Sequence, residues 1–104
     1  MANERLMFGL SPAVVADLRG VIARYPEVER VAIFGSRAKS TWKDGSDIDL
    51  AVFSETMPDN RFTMLWNEID ALPLVFKIDC LHWNRLSNPA LKEKIVREGQ
   101  TFYP

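Results

Sequence analysis

The chain is sparing in several things at once. It has one cysteine, Cys80, in 104 residues, so no internal disulfide can form, and a reducing, cytoplasmic setting is the simplest expectation. Cys80 stands in an apolar run, where it reads as a small buried side chain rather than a reactive thiol. There is one histidine, His82, too few for an imidazole metal cluster. Neither sign of charge is in excess: 13 Lys and Arg against 14 Asp and Glu give a formal net charge of −1. That balance argues against attachment to nucleic acid or membrane by bulk charge, while leaving a local basic patch open. The opening residues, "MANERLMFGL", hold no long apolar stretch, so neither a signal peptide nor a membrane span is expected. Repeats, linkers and low-complexity segments are absent from the sequence. The length suits one compact domain over residues 1–104, and an apolar share of 47 % is enough for one core.

What is present alternates between two periods. Ser11-Pro12 supplies an N-cap and a first-turn proline, and Val14, Val15, Leu18, Val21, Ile22 and Tyr25 recur at helical spacing. A helix over about residues 12–25 is predicted, closed by Pro26. Val31 to Phe34 is a short apolar run entering Gly35-Ser36, a buried strand followed by a tight turn. Residues 37–46 are polar and hold the turn signal Asp44-Gly45; Ile48 to Phe53 is the next strand. Pro58-Asp59-Asn60 opens a helix striped by Phe62, Leu65, Trp66 and Ile69. Leu74 to Leu81 reads as a third strand. Asn88-Pro89 caps a last helix carrying Leu91, Ile95 and Val96 and ended by Gly99, and the tail from Thr101 adds a short strand or packs on the core. This order predicts an α/β (α+β) domain, a small mixed sheet flanked by helices.

The chemistry lies in the acidic residues of the strands. On an extended chain alternate side chains share a face, so Asp47, Asp49 and Ala51 point one way and Ile48, Leu50 and Val52 the other. Two carboxylates on one face repel, and a buried carboxylate without a partner is costly. A hard divalent cation relieves both, since Mg²⁺ takes one or two carboxylates together with substrate phosphates. Asp79 completes a three-carboxylate site if its strand neighbours that of Asp49 and shares the face; otherwise all three are ordinary turn and edge-strand residues. Gly35-Ser36 offers backbone N–H groups and a hydroxyl to an anion, and Arg37, Lys39 and Lys43 lie close enough in sequence to reach phosphate oxygens or simply to line a solvated loop. Two familiar phosphate and metal loops do not fit. Ala38 stands where a P-loop needs its second glycine, and Ala51 and Val52 occupy ligand and glycine positions of an EF-hand begun at Asp47.

Gly35-Ser36, ten intervening residues, then Asp47-Ile48-Asp49 resembles the signature of the DNA polymerase β-like nucleotidyltransferase superfamily. Within it, "FGSRAKSTWKDGSDIDLAV" followed by "LPLVFKIDCLHW" is most similar to the minimal nucleotidyltransferases, or MNT proteins. The resemblance implies a nucleotidyltransferase fold and transfer of a nucleoside monophosphate, AMP first, from a triphosphate such as ATP to an acceptor hydroxyl. It implies two Mg²⁺ ions held by Asp47, Asp49 and Asp79, with Asp79 also activating the hydroxyl. Gly35, Ser36, Arg37, Lys39 and Ser46 are implied in nucleotide binding. It further implies a small helical HEPN-type partner, in some cases a toxin that the nucleotidyltransferase neutralises. Many members carry glycine where this chain has Ser40, a place for an unusual backbone angle or close phosphate approach.

Two other readings stand beside this one. The chain could be a binding subunit that keeps the fold and docks on the helical partner with little catalysis, Trp42, Trp66, Trp83, Phe62 and Phe102 being the candidate anchors. A metal-dependent phosphohydrolase using His82 beside Asp79 is the weaker of the two, for want of a second histidine.

Overall fold

The computed structural model describes residues 6–43 and 45–104. The first five residues of the expected leaderless start, and the Asp44 half of the expected turn, lie outside them. Ser11 caps α1 (Pro12–Ile22) by accepting from the Val14 N–H at 3.3 Å. The helix stops three residues before the predicted end. Tyr25 precedes a proline and so disfavours helical backbone, and the chain tightens there through N–H bonds from Arg24 and Tyr25 to the carbonyls of Val21 and Ile22. β1 (Arg30–Phe34) runs into a single 3₁₀ turn, Gly35–Arg37. β2 (Ile48–Phe53) is followed by α2 (Asp59–Asp70), then β3 (Ile78–His82). α3 (Pro89–Glu98) is capped by the Asn88 side chain, which accepts from Ala90 and Leu91, and leads directly into β4 (Gln100–Tyr103). The tail is therefore a strand.

The sheet order is β3-β2-β1-β4. β1 pairs antiparallel with both β2 and β4, while β3 lies parallel to β2 after the α2 crossover. The sheet is thus mixed, as expected. The third strand is shorter than expected and begins at Ile78, not Leu74. Its ladder with β2 starts at the pair Ile48 and Ile78, one step after the Ile48 N–H to Lys77 carbonyl bond. Residues 74–76 lie before this ladder, which begins where β2 itself begins, at Ile48.

One face of the sheet carries Val31, Ile33, Ile48, Leu50, Val52, Ile78 and Cys80 into the main core with α1 and α2. The other face packs Phe34 and Ala51 against Ile95 of α3. Phe102 of β4 is fully buried in the main core, which removes it from the candidate partner anchors. Phe62 and Trp66 of α2 also pack against that core. No helix among the described residues is long and apolar enough to cross a membrane.

Candidate active site

The alternation along β2 sends Asp49 to the α3 face, since Leu50 and Val52 belong to the main core and Ala51 to the α3 layer. Parallel pairing sets Asp49 directly beside Asp79. In-register neighbours point the same way, so the two carboxylates share this face on adjacent strands, roughly 4.8 Å apart in backbone spacing. Asp47 precedes the strand and is exposed. Burial first, then Asp79, then Asp47 push the Asp49 carboxyl above its ordinary value, while Lys94 and Lys77 pull it back. Among the described residues no three His, Cys, Asp or Glu side chains close around one point. The carboxylates therefore form an open row and not a finished cage. Such a row fits a hard cation that completes its shell with substrate oxygens, and a cation would relieve the repulsion that raises Asp49.

Across β1 the same face meets the turn. Asp49 lies opposite Phe34, the residue before Gly35. Gly35 is buried with φ +78°, and a Cβ added there would sit 2.5 Å from Asp49 Oδ2. Only glycine allows both the left-handed backbone and this approach. The glycine-serine turn and the carboxylate row are thus in van der Waals contact, although twelve residues separate Ser36 from Asp49 in sequence. The turn is closed by N–H bonds from Lys39 to the Gly35 carbonyl at 3.2 Å and from Thr41 to the Ser36 carbonyl at 3.0 Å. Ser36 is half-buried beside Gly35. Ser40 adopts φ 62°, a left-handed backbone to which glycine is better suited.

Not every expected phosphate ligand stands at the turn. Arg37 is 2 % exposed. Its Nε and Nη2 donate to the Ser46 carbonyl at 3.1 and 2.9 Å, its Nη1 donates to the Phe8 carbonyl at 3.0 Å, and its guanidinium lies over the Phe76 and Trp42 rings. It clamps the loop and the N-terminal segment together instead of facing a ligand. Ser46 is held in the same clamp: its hydroxyl accepts from the Lys43 N–H at 2.8 Å, stabilising the approach to Asp47. The Gly35 N–H, expected to meet an anion, donates to Glu98 Oε1 at 3.3 Å. Lys39 is half-exposed and lies 3.5 Å from Glu98 Oε2. Glu98 is a residue that the spacing of the motifs does not reach, because Gly35 lies 63 positions away from it.

The remaining candidates have structural work. His82 is buried, stacked on Phe62 with centroids 5.1 Å apart, and its Nε2–H donates to the Ser54 carbonyl at 3.1 Å. Its Nδ1 is buried with no partner among the described residues. Burial, then Asp79, push the Cys80 thiol up to about 12, so it stays protonated and inert at neutral pH. A cavity of about 250 Å³ opens beside Asp79, lined by Trp66, Leu74 and Phe76 among others.

A mixed sheet thus sets a glycine-serine turn after one strand against paired carboxylates on the next two. The family described as polymerase beta, nucleotidyltransferase matches residues 17–104, and the chain belongs to that family and is a nucleotidyltransferase. Solved structures share its fold. One is a toxin–antitoxin complex with AMP-PNP, 21 % identical over 86 % of this chain and 70 % of that one, with a TM-score of 0.65. A second is a mutant of the MntA–HpeT toxin–antitoxin pair, 17 % identical over 85 % and 70 %, TM-score 0.65. A third is a tri-AMPylated HEPN toxin from Shewanella oneidensis in complex with MNT antitoxin, 18 % identical over 86 % and 69 %, TM-score 0.60. A search of curated proteins by sequence returns no match.

Proposed function

We propose that this nucleotidyltransferase moves AMP from ATP to an acceptor hydroxyl on a small helical HEPN-type partner, and so serves as the antitoxin of a toxin–antitoxin pair in the cytoplasm. The observation that carries the reading is the contact of Gly35 with Asp49 together with the register of Asp49 with Asp79. It lays phosphate turn, first carboxylate and second carboxylate in a row across β1, β2 and β3. The choice of acceptor is supported by a structural neighbour, a tri-AMPylated HEPN toxin in complex with MNT antitoxin.

In this reading the turn at Gly35 and Ser36, with Lys39 at its rim, holds the β- and γ-phosphates. Asp47, Asp49 and Asp79 would hold two Mg²⁺ ions, which when bound neutralise phosphate charge and make a hydroxyl easier to deprotonate. The triphosphate is oriented with its leaving group toward β1, so the acceptor oxygen approaches from the β3 side, in line. The acceptor oxygen bonds to the α-phosphorus, the bond from that phosphorus to the bridging oxygen breaks, and pyrophosphate leaves. The proton of the acceptor hydroxyl passes to the Asp79 carboxylate. Arg37 acts only by fixing the loop that carries Asp47.

The test is intact-mass spectrometry of a cognate HEPN protein after incubation with this chain, Mg²⁺ and each triphosphate in turn. The expected result is a mass gain of one or more AMP units with ATP. Asp49→Asn should slow that gain by a factor of about 10³, the scale of losing a group aimed at transition-state charge. Wild-type rates in Asp49→Asn would sink the reading. A stable complex with no mass gain would show a docking subunit instead.

A further inference from the structure

We infer that Glu98 is a positioning residue for the phosphate turn, an assignment that rests on the nucleotidyl-transfer reading above. Glu98 is the last residue of α3, and its side chain is 10 % exposed. One carboxylate oxygen accepts from the Gly35 N–H at 3.3 Å; the other lies 3.5 Å from Lys39 Nζ and 3.9 Å from Arg97 Nη2. Two positions on, Gln100 Nε2 donates to the Ala38 carbonyl at 2.6 Å. The corner between α3 and β4 therefore grips the turn at both its ends. Gly99 suits this corner: a Cβ there would collide with the Ile95 carbonyl.

The residue type is the clue that this contact is built for something beyond helix stability. A carboxylate at a helix C-terminus faces the negative end of the dipole, and near-complete burial adds to its cost. Among the described residues, the Gly35 N–H, Lys39 and Arg97 offset both. In return, Gly35 is fixed in its left-handed backbone against Asp49, and the long Lys39 side chain is drawn to the rim of the turn. Lys39 lies nearer to Glu98 than Arg97 does, and Arg97 also pairs with Glu93 at 3.3 Å, so Lys39 is the cation that Glu98 ties to the turn.

The experiment compares the full chain with Glu98→Gln and Glu98→Ala. Glutamine keeps an acceptor for the Gly35 N–H and loses the charge; alanine loses both. Binding of AMP-PNP and of inorganic tripolyphosphate, each with Mg²⁺, is measured by calorimetry, and binding of AMP by NMR titration. Thermal unfolding of each variant confirms the fold. The triphosphate ligands should bind about tenfold more weakly to Glu98→Ala, the scale of one charge-assisted hydrogen bond, with Glu98→Gln in between. AMP affinity should hold in both, because AMP lacks the phosphates that the turn receives. Unchanged triphosphate affinity, or equal weakening of AMP, would overturn the assignment. Tighter triphosphate binding would overturn it too and make Glu98 a plug. A wild-type chain that binds neither AMP-PNP nor tripolyphosphate would overturn the site reading itself, and the assignment with it.

Discussion

On one face of the sheet, Val31, Ile33, Ile48, Leu50, Val52 and Ile78 meet α1 and α2 in an unbroken apolar layer. On the other, Phe34 and Ala51 meet Ile95, and the layer then gives way to Asp49 and Asp79. The strands are shared, so neighbouring residues of β2 serve opposite ends: Leu50 is fully buried in the core while Asp49 stands half-buried in a carboxylate row. The difference teaches where stability and chemistry are separable. A strand whose two faces have unlike partners lets a chain this short hold an electrostatically unfavourable cluster, because the core behind it supplies the free energy that the cluster costs.

The strongest way to break this division is to cut into the core face alone. Leu50→Ala should cost roughly 2–5 kcal/mol of folding stability, read from the urea midpoint, by lost burial and a residual cavity. Nucleotidyl transfer per folded molecule should be retained; a specific loss of activity at full folding would show that the faces are coupled. A smaller effect is expected at the turn. Ser40 holds φ 62° on an exposed loop, so Ser40→Gly should raise stability by up to about 1 kcal/mol, the cost of a left-handed non-glycine residue less the greater freedom of glycine in the unfolded chain. A drop in the denaturation midpoint would contradict that backbone assignment.

The smallest effect, and the most pointed, concerns Asp49 without metal. Burial, Asp79 and Asp47 raise its folded pKa above the usual 3.8. Its contribution is therefore favourable below the unfolded value and is lost as pH rises through the raised folded value. In EDTA, Asp49→Asn should raise the melting temperature at pH 7 by less than about 5 °C, since solvent screening leaves well under 1 kcal/mol to recover. The gain should vanish at acidic pH. A lower melting temperature at pH 7 would mean that the carboxylate row is not strained.

Most of the architecture was readable because its signals are local. Ser11-Pro12 and Asn88-Pro89 cap the helices they were expected to cap. The alternation Asp49, Leu50, Ala51, Val52 assigns faces without any knowledge of the partner strands. The register of Asp49 with Asp79 was not readable, since nothing in either segment specifies their pairing; only the condition that it would have to meet was. The start of β3 was unreadable for a related reason: Leu74 to Phe76 has a strand's composition, but the ladder with β2 begins only where β2 does, at Ile48. Arg37 misled because a basic residue after a phosphate-type turn looks like a ligand, whereas its guanidinium satisfies the carbonyls of Ser46 and Phe8 inside the loop. Glu98 left a faint trace, an acid in the last turn of a helix, where the dipole disfavours it.

The three tryptophans are spread unevenly, and this makes them optical reporters of separate places. Trp42 packs with Arg37 within the loop that joins the turn to Asp47, Trp66 lines the cavity next to Asp79, and Trp83 packs against Phe53 with centroids 4.9 Å apart, on the α3 face. Intrinsic fluorescence from this chain is consequently a sum of three local signals: one from the glycine-serine end of the row, one from its far end and one from a region outside it.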